Sequence, residues 1–422
     1  MTRNQNDKHI RRVSVSATLL LLWTSCIFSP TESIEPTPTS ITVSSTLLYL
    51  GIGESVTLTA EVLDEERVPI ENAPLDWSSS DPETVHVNNQ GVITALSFGR
   101  ANITVKSGTR ETVTVVIISK DRAVLVAVYN ALRGRVWMKK TNWLSSLPLG
   151  AWHGVTVNPD GRVTGLDLQS NSLSGELPAE LGDLDELEFL ILGQNPIRGQ
   201  IPRSVGQLRN LEMLWIGQAE LSGEIPSSLG NLSNLQALRL DRNRLSGPIP
   251  SSLGNLVNLE ELRLHENTLS GEIPGSLGQL VNLVDLTLRH NRLTGSIPPE
   301  LGNLAILREM SLSSNQLDGS IPPELGNLAI LENLRLRYNR LSGSIPPELG
   351  GMNNLRNLIL NDNRELMGPM PLELTQLNRL RFLDVRGTGL CAPSHRDFRV
   401  WLETVRRGFG NSIQGVVFCP GT

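Results

Sequence analysis

The chain has 422 residues, of which 39% are hydrophobic and 4% aromatic, and its formal net charge is −6. Its 37 glycines and 25 prolines are too few for a low-complexity disordered chain, and three cysteines exclude a scaffold built from disulfides. The acidic balance argues against a nucleic-acid-binding protein, which needs a basic surface. Leucine numbers 16 in residues 1–162 and 54 in residues 163–422, so the chain holds at least two kinds of domain.

Residues 1–29 have the layout of a secretory signal. A basic start that includes Lys8, Arg11 and Arg12 precedes an apolar run over residues 13–28, which is too short and wrongly flanked for a membrane-spanning helix. Residues 30–37 are rich in Pro, Thr and Ser and are expected to form a spacer. We therefore expect an exported protein, either secreted or held at the cell surface.

The end of this signal leaves two alternatives open. Residues 22–26, LWTSC, resemble the lipoprotein box of exported bacterial proteins, although Trp23 stands where that box usually has leucine. The resemblance implies lipidation of Cys26 and a cell-surface or outer-membrane lipoprotein, with the lipid as the protein's membrane contact. An ordinary cleaved signal with an incidental cysteine is the other alternative.

Residues 38–118 alternate between apolar and polar side chains. Val56, Leu58, Ala60 and Val62 are an example, and such alternation is typical of strands with one buried face. Turn-forming clusters separate about seven short segments of this kind, which predicts a small antiparallel all-β sandwich. The segment has no cysteine, so we expect Trp77 to anchor its core.

The same segment resembles the second group of bacterial immunoglobulin-like domains. The runs that carry the resemblance are GESVTLTAEV and LDWSSSDPETVHVNNQGVITALSFGRANITV, residues 53–62 and 75–105. In surface proteins such domains mostly serve as spacers, and some are adhesive. The resemblance therefore implies a stalk, with adhesion as the alternative.

Residues 163–390 repeat with a period of 24 residues. Nine full units and one shortened unit begin at Val163 and continue to Leu380, and a typical unit is LEELRLHENTLSGEIPGSLGQLVN at residues 259–282. The pattern L-x-x-L-x-L-x-x-N-x-L at this period is that of a leucine-rich repeat. We therefore predict a multidomain chain in which a right-handed α/β solenoid follows the sandwich, with parallel strands on the concave face and short helical turns on the convex face.

Alternation within each predicted strand assigns its residues to two faces. Leu262 and Leu264 are expected to point into the core, while Glu261, Arg263 and His265 are expected to face outward. An asparagine such as Asn267 recurs in eight of the units and can satisfy backbone groups at a tight turn.

The second half of each unit, L-S-G-x-I-P-x-x-L-G-x-L, resembles the plant-type extracellular repeats of receptor-like proteins and polygalacturonase inhibitors. Those relatives bind peptides, glycans or proteins through the concave face and its flank. The resemblance implies the same kind of surface here.

Both ends of the solenoid are expected to carry caps. Residues 119–162 contain a helical pattern at residues 121–132 and resemble the plant-type N-terminal cap, but Gly150 and Val157 stand at the positions of its two cysteines. Residues 391–422 form the C-terminal cap, in which Cys391 and Cys419 flank a helical segment at residues 397–407. An exported pair at this spacing predicts a disulfide worth ~3.5 kcal/mol, and a free or metal-bound pair is the alternative.

Outward positions on the predicted strands give two candidate ligand-binding zones. One is an exposed apolar patch beside glycines, and such patches usually make contacts. It consists of Phe189, Ile191, Met213 and Trp215. The other is rich in hydrogen-bond donors and consists of Arg239, Arg263, His265, Arg289 and His290, extended by Arg335, Arg337 and Tyr338. The alternative for this second zone is a solvated face whose arginines pair with carboxylates on neighbouring units, namely Asp241, Glu261, Glu266, Asp285 and Glu309.

The sequence contains no nucleophile motif. His265, Glu266 and His290 lie on neighbouring units and could approach a metal, but they are expected on an open face and no third or fourth ligand follows. We therefore expect no enzyme, no cofactor and no metal site. The predicted function is an exported recognition or adhesion protein that binds a protein, peptide or polysaccharide on its concave face. A secreted inhibitor of a polysaccharide-degrading enzyme and a structural surface component without a discrete ligand are the alternatives.

Overall fold

The computed structural model describes residues 36–409 and 413–420. Within them the chain forms a small β domain followed by an elongated solenoid. The expected signal, Cys26 and most of the spacer lie outside the described residues. No helix in the described part of the chain is both long enough and apolar enough to cross a membrane.

The β domain has nine strands, where the sequence predicted about seven. They are Ser40–Val43, Leu47–Leu50, Ser55–Thr57, Ala60–Leu63, Asp76–Ser79, Val85–Val87, Val92–Ala95, Gly99–Ser107 and Arg110–Ile118. One predicted strand is divided in two, because Ser55–Thr57 pairs with Val92–Ala95 while Ala60–Leu63 pairs with Ser40–Val43 in another sheet.

The sandwich is also not wholly antiparallel, since Leu47–Leu50 and Arg110–Ile118 pair in parallel. Its core closes around the buried Trp77, as predicted.

The β domain is joined to the solenoid without a flexible linker. Ser119 alone separates the last strand from helix α1 (Lys120–Ala131). Arg122 of α1 is buried, donates to the carboxylate of Glu54 in the β domain at 2.9 Å, and lies over the ring of Trp152 in the N-terminal cap at 5.0 Å. This one guanidinium therefore connects the β domain to helix α1 and to the rest of the N-terminal cap.

The solenoid is built on one sheet of twelve strands. Ten of them are parallel and come from the ten repeat units, here called rungs 1 to 10. The strand Val155–Val157 adds to one edge in antiparallel fashion, and Ile413–Gln414 adds to the other edge in parallel. The rung strands are Val163–Asp167, Phe189–Ile191, Met213–Trp215, Ala237–Arg239, Glu261–Arg263, Asp285–Thr287, Glu309–Ser311, Asn333–Arg335, Asn357–Ile359 and Phe382–Asp384.

The opposite side of the solenoid consists of short turns and short second strands. The helical turns predicted there are 3₁₀ turns of five residues, each following a proline that ends the extended segment. They are Ala179–Asp183, Arg203–Gln207, Ser227–Asn231, Ser251–Asn255, Gly275–Gln279, Pro299–Asn303, Pro323–Asn327, Pro347–Gly351 and Leu372–Gln376. The second strands are Gly175–Glu176, Ile197–Arg198, Ser222–Glu224, Arg244–Gly247, Thr268–Glu272, Arg292–Thr294, Ser342–Gly343, Glu365–Pro369, Gly389–Ala392 and Val417–Phe418.

Leucines fill the space between these two sides. Leu262 and Leu264 are fully buried, as are their counterparts along the array, in one continuous core. A single rung could not cover these side chains, so stacking of neighbours stabilises the solenoid.

The buried asparagines tie each rung to the one before it. Asn267 accepts the N–H of Leu245 at 3.0 Å and donates to the carbonyl oxygens of Leu240 at 2.9 Å and Leu264 at 3.1 Å. The same pattern recurs along the column, so the predicted role of asparagine is confirmed. The column consists of Asn171, Asn195, Asn243, Asn267, Asn291, Asn315, Asn339 and Asn363.

The column is interrupted at Ala219 on rung 3. Ile197 has no asparagine amide oxygen to bond on the next rung, and its N–H instead donates to the carbonyl of Asn195 at 2.7 Å. At this point the second strands Ile197–Arg198 and Ser222–Glu224 belong to separate sheets, although the N–H groups of Glu220 and Ser222 still donate to the carbonyls of Ile197 and Gly199 at 2.9 and 2.8 Å. The break lies directly beside the predicted apolar patch on rungs 2 and 3.

Each end of the solenoid is closed by a cap. The N-terminal cap packs Trp137, Trp143 and Trp152 in successive ring contacts of 4.8 and 5.1 Å. A side chain begun at Gly150 would lie 3.0 Å from Val157, which confirms that these two positions are neighbours.

At the other end a disulfide joins Cys391 and Cys419, as predicted. Helix α2 (Arg396–Phe409) lies between them and buries Phe398, Trp401, Leu402 and Val405 against the last rung.

Replacing Asn267 by alanine tests the asparagine column. The change leaves the Leu245 N–H buried without a partner, at about 1–3 kcal/mol, and removes one of the two asparagine hydrogen bonds to the Leu240 carbonyl, at about 1 kcal/mol. We expect the free energy of unfolding, measured by urea titration, to fall by about 2–4 kcal/mol. Asn255→Ala, the same change in an exposed turn, should cost less than about 0.5 kcal/mol. Equal losses in the two variants would contradict the role assigned to the column.

Candidate functional site

The candidate site is the concave face, the side of the twelve-stranded sheet that faces away from the leucine core. Side chains in register on neighbouring rungs form columns across it. Ile191, Trp215, Arg239 and Arg263 follow one another in this way. A ligand lying along the sheet would meet these columns in order.

Trp215 stands out on this face. It is the one tryptophan in the described part of the chain that is not buried. Its indole lies over two glycines, because a side chain begun at Gly193 would meet Nε1 at 2.8 Å and one begun at Gly217 would meet it at 3.1 Å. Any larger residue at either position would displace the ring.

The rest of the predicted apolar patch surrounds this ring. Phe189 is exposed, while Ile191 and Met213 are half-buried. On the other side Arg239 lies over the indole, with its guanidinium carbon 5.4 Å from the ring centroid. The structure therefore brings the four predicted apolar residues together on rungs 2 and 3.

The predicted donor-rich zone is instead a ladder of ion pairs in its first half. Arg239 Nε donates to Glu261 Oε2 at 2.7 Å, and Arg263 pairs both with Glu261 and, at 2.9 Å, with Asp285. Burial lowers the pKa of Arg263, but the Asp285 hydrogen bond and the charges of Glu261 and Asp285 outweigh it and raise the pKa above its usual value. These arginines are locked to carboxylates of neighbouring rungs, as the alternative interpretation held.

His265 does not offer an exposed donor, contrary to the prediction. Its side chain faces the concave side, but the residue is only 8% exposed. Its Nε2 lies 3.7 Å from the carboxylate of Asp241, and its Nδ1 is buried with no hydrogen-bond partner. Burial lowers the pKa of His265 and outweighs the attraction of Asp241, so the ring is neutral at pH 7.

His290 and Tyr338 are also placed differently from the prediction. Both are exposed, and both have a φ of 56°, in the left-handed region. They belong to the turn that follows each strand, so they line the edge of the concave face and not its floor.

The second half of the donor-rich zone contains two serines that were not predicted as site residues. Ser311 and Ser313 are buried, and their hydroxyl groups have no partner. Arg289 and Arg337 stand one rung away from Ser313 on either side. Arg335 stands beside Ser311 on the next rung and pairs with Glu309. A serine that interrupts a column of large side chains is the sequence signal that could have identified them.

The arginines around these serines are close enough to affect one another. Burial lowers the pKa of Arg335, and the positive charges of Arg337 and Arg289 lower it further. Arg289 is paired with Glu266 at 3.0 Å, whereas Arg337 is exposed and has no carboxylate partner in the described residues. Arg337 is therefore the guanidinium most open to a ligand. The described residues contain no group of three or more His, Cys, Asp or Glu that could hold a metal ion.

Comparison with known proteins identifies both domains. Residues 38–117 match the bacterial Ig-like domain of group 2. Residues 164–266 match a leucine-rich repeat region, and single leucine-rich repeats match at 258–280, 282–304, 307–328 and 331–352. The chain therefore joins a group 2 bacterial Ig-like domain to a leucine-rich-repeat solenoid, as the sequence predicted.

The repeats are similar to plant extracellular proteins. The ectodomain of the Arabidopsis thaliana receptor kinase GASSHO1/SCHENGEN3, solved in complex with CASPARIAN STRIP INTEGRITY FACTOR 2, is 35% identical with a TM-score of 0.64, over 71% of this chain and 35% of that one. A plant ice-binding protein is 28% identical with a TM-score of 0.58, over 72% of this chain and 98% of that one.

A curated relative matches over a short stretch. A probable leucine-rich repeat receptor-like protein kinase of Arabidopsis thaliana is 44% identical over 52 residues, which are 12% of this chain and 6% of the kinase. The chain thus spans a small part of that kinase and about a third of the receptor ectodomain.

The buried histidine gives a pH-dependent prediction. Because the folded-state pKa of His265 lies below the unfolded value of 6.5, the unfolded chain takes up the proton first as the pH falls. The contribution of this group to stability is complete above about pH 6.5 and declines below it. We expect the free energy of unfolding to fall more between pH 7.5 and 5.5 in the wild type than in His265→Gln.

The matched control is His290→Gln, which changes an exposed histidine on the next rung. It should keep the pH dependence of the wild type. Equal pH dependence in His265→Gln and the wild type would contradict the buried, neutral state of His265.

Proposed function

We propose that this chain is an exported recognition protein that binds a ligand along the concave face of its solenoid. The Ig-like domain is the stalk that joins the solenoid to the cell surface or to a lipid at Cys26. The protein carries out no catalysis, and its ligand is a protein, a peptide or a polysaccharide.

One observation carries this proposal. Four buried polar atoms without hydrogen-bond partners lie along the concave face, where a folded protein usually leaves few. They are His265 Nδ1, Ser311 Oγ, Ser313 Oγ and Asn361 Oδ1. Each such group costs about 1–3 kcal/mol unless water or a ligand completes it. These atoms lie just beneath the concave surface, so a polar ligand that displaces the side chains covering them can satisfy them.

Two further features support a ligand on this face. The apolar zone around Trp215 and the exposed Arg337 lie five rungs apart, which is about 24 Å at the spacing of neighbouring strands. Aromatic residues and arginine are also the types that contribute most to binding energy at interfaces. A ligand in contact with both zones has to be extended.

The similarity to the peptide-bound plant receptor ectodomain agrees with an extended ligand. The similarity to the ice-binding protein is a similarity of the repeat scaffold. An ice lattice calls for a regular array of like side chains. In this chain the column one residue past the asparagine position changes from Glu220 to Arg244, Thr268 and Arg292.

The test uses the full chain purified from cells that export it, applied to arrays of glycans, peptides and proteins. We expect at least one ligand whose binding weakens about tenfold or more in Trp215→Ala or in Arg337→Glu, as loss of one central contact predicts. Arg203→Glu, the same charge reversal on an exposed convex turn, is the matched control and should leave binding unchanged.

Ligands that bind the wild type and both concave variants equally would contradict the proposal. Inhibition of a polysaccharide hydrolase without any concave-face dependence would instead favour the inhibitor alternative. Self-association unaffected by either variant would favour a structural component.

A further inference from the structure

Trp215 and Asp241 face each other across the bare backbone of Gly217. A side chain begun at Gly217 would lie 3.1 Å from Trp215 Nε1 and 2.8 Å from Asp241 Oδ1. Since both atoms lie close to the point where that side chain would begin, one hydroxyl group on the solvent side can reach both of them. The space between the two atoms, on the side that faces solvent, is called the notch. Its two walls are an indole N–H and a carboxylate.

Neither wall is satisfied by the protein. In the described part of the chain the indole N–H of Trp215 has no acceptor. The Asp241 carboxylate lies 3.7 Å from His265 Nε2, which is beyond hydrogen-bond distance, and that ring is neutral at pH 7. Asp241 is only 7% exposed, so its charge is poorly hydrated. A ligand that supplies donors to this carboxylate would therefore be stabilised.

The charges around the notch select against ionic ligands. Asp241 and Glu261 would repel an anionic group, and the guanidinium of Arg239, which lies over the indole, would repel a cationic group placed against Trp215. Since Arg239 and Arg263 are already paired with carboxylates, the surface is close to neutral and rich in hydrogen-bonding groups. A neutral ligand with many hydroxyl groups meets no repulsion here.

A hydroxyl group also matches the notch in hydrogen bonding. It can donate to the Asp241 carboxylate and accept from the Trp215 N–H, because each hydroxyl is both donor and acceptor. Arg239 lies over one face of the indole and the two glycines lie under the other, so the C–H face of a sugar ring can pack on the open edge of the indole and on the apolar side chains of Phe189 and Met213. The glycines that hold the indole in place keep this platform open.

We propose that the notch over Gly217 is a saccharide subsite, in which a neutral sugar unit packs against Trp215 and hydrogen-bonds to Asp241. This inference deepens the proposed function and rests on it. Among the ligand classes open to the concave face, it selects a polysaccharide with uncharged units. Phe189 and Ile191 continue the platform for the next unit along the chain of sugars.

The experiment measures binding of the full exported chain to neutral hexasaccharides by titration calorimetry. The probes are cellohexaose, laminarihexaose, xylohexaose, mannohexaose and chitohexaose, with uncharged peptides of similar length as a comparison set. We expect at least one hexasaccharide to bind. Gly217→Ala should weaken its affinity about tenfold or more, since a methyl group there fills the notch and displaces Asp241.

Three further variants separate the contacts. Trp215→Ala should abolish detectable binding, Trp215→Phe should retain part of it, and Asp241→Asn should weaken it about tenfold by removing a charged acceptor. Gly275→Ala is the matched control, since its convex turn carries serine at the equivalent position of rungs 3 and 4, and it should bind as the wild type does. Far-ultraviolet circular dichroism checks that each variant is folded.

The outcomes distinguish this inference from the function on which it rests. Failure of every hexasaccharide to bind overturns the saccharide subsite, as does saccharide binding that is unchanged in Gly217→Ala, Trp215→Ala and Asp241→Asn. If only peptides or proteins bind, and Trp215→Ala weakens them, the recognition function stands and the saccharide subsite falls. If no ligand of any class depends on the concave face, both fall.

Discussion

The hydrogen bonds of the buried asparagines are the constraint on which the rest of the structure depends. Each one joins the turn of its own rung to backbone groups of the preceding rung, as Asn267 does with Leu245 and Leu240. This fixes a 24-residue register, so residues one period apart stand side by side on the sheet. Gly193, Gly217 and Asp241 are therefore neighbours in space because they are equivalent in the repeat.

Because of that register, a change of residue type along one column alters the concave surface at one place only. Two successive glycines make room for the indole of Trp215, and the next residue of the column supplies a carboxylate. A serine at position 313 places a buried hydroxyl group between the rungs of Arg289 and Arg337 in the same manner. Leucines that stack in every rung make the scaffold insensitive to these changes, so the concave face can vary while the core stays constant.

Much of this architecture follows from the sequence, because period, core leucines and asparagines are repeated signals. The disulfide of Cys391 with Cys419 also followed, since these were the two cysteines near one cap. The placement of single side chains did not follow. His265 belongs to an outward column, but the long neighbours Arg242, Glu266 and Arg289 and the adjacent Asp241 cover it. Likewise the sequence shows Arg122 only as a polar residue of a helix. Its burial between Glu54 and Trp152 depends on how two domains meet.

A crystal structure of the chain with a bound neutral hexasaccharide would test the saccharide subsite on the concave face directly. We expect a sugar ring over Gly217, with hydroxyl oxygens within about 3.2 Å of Trp215 Nε1 and an Asp241 carboxylate oxygen. A saccharide seated on the convex turns or on the Ig-like domain, with the space over Gly217 left to solvent, would contradict it.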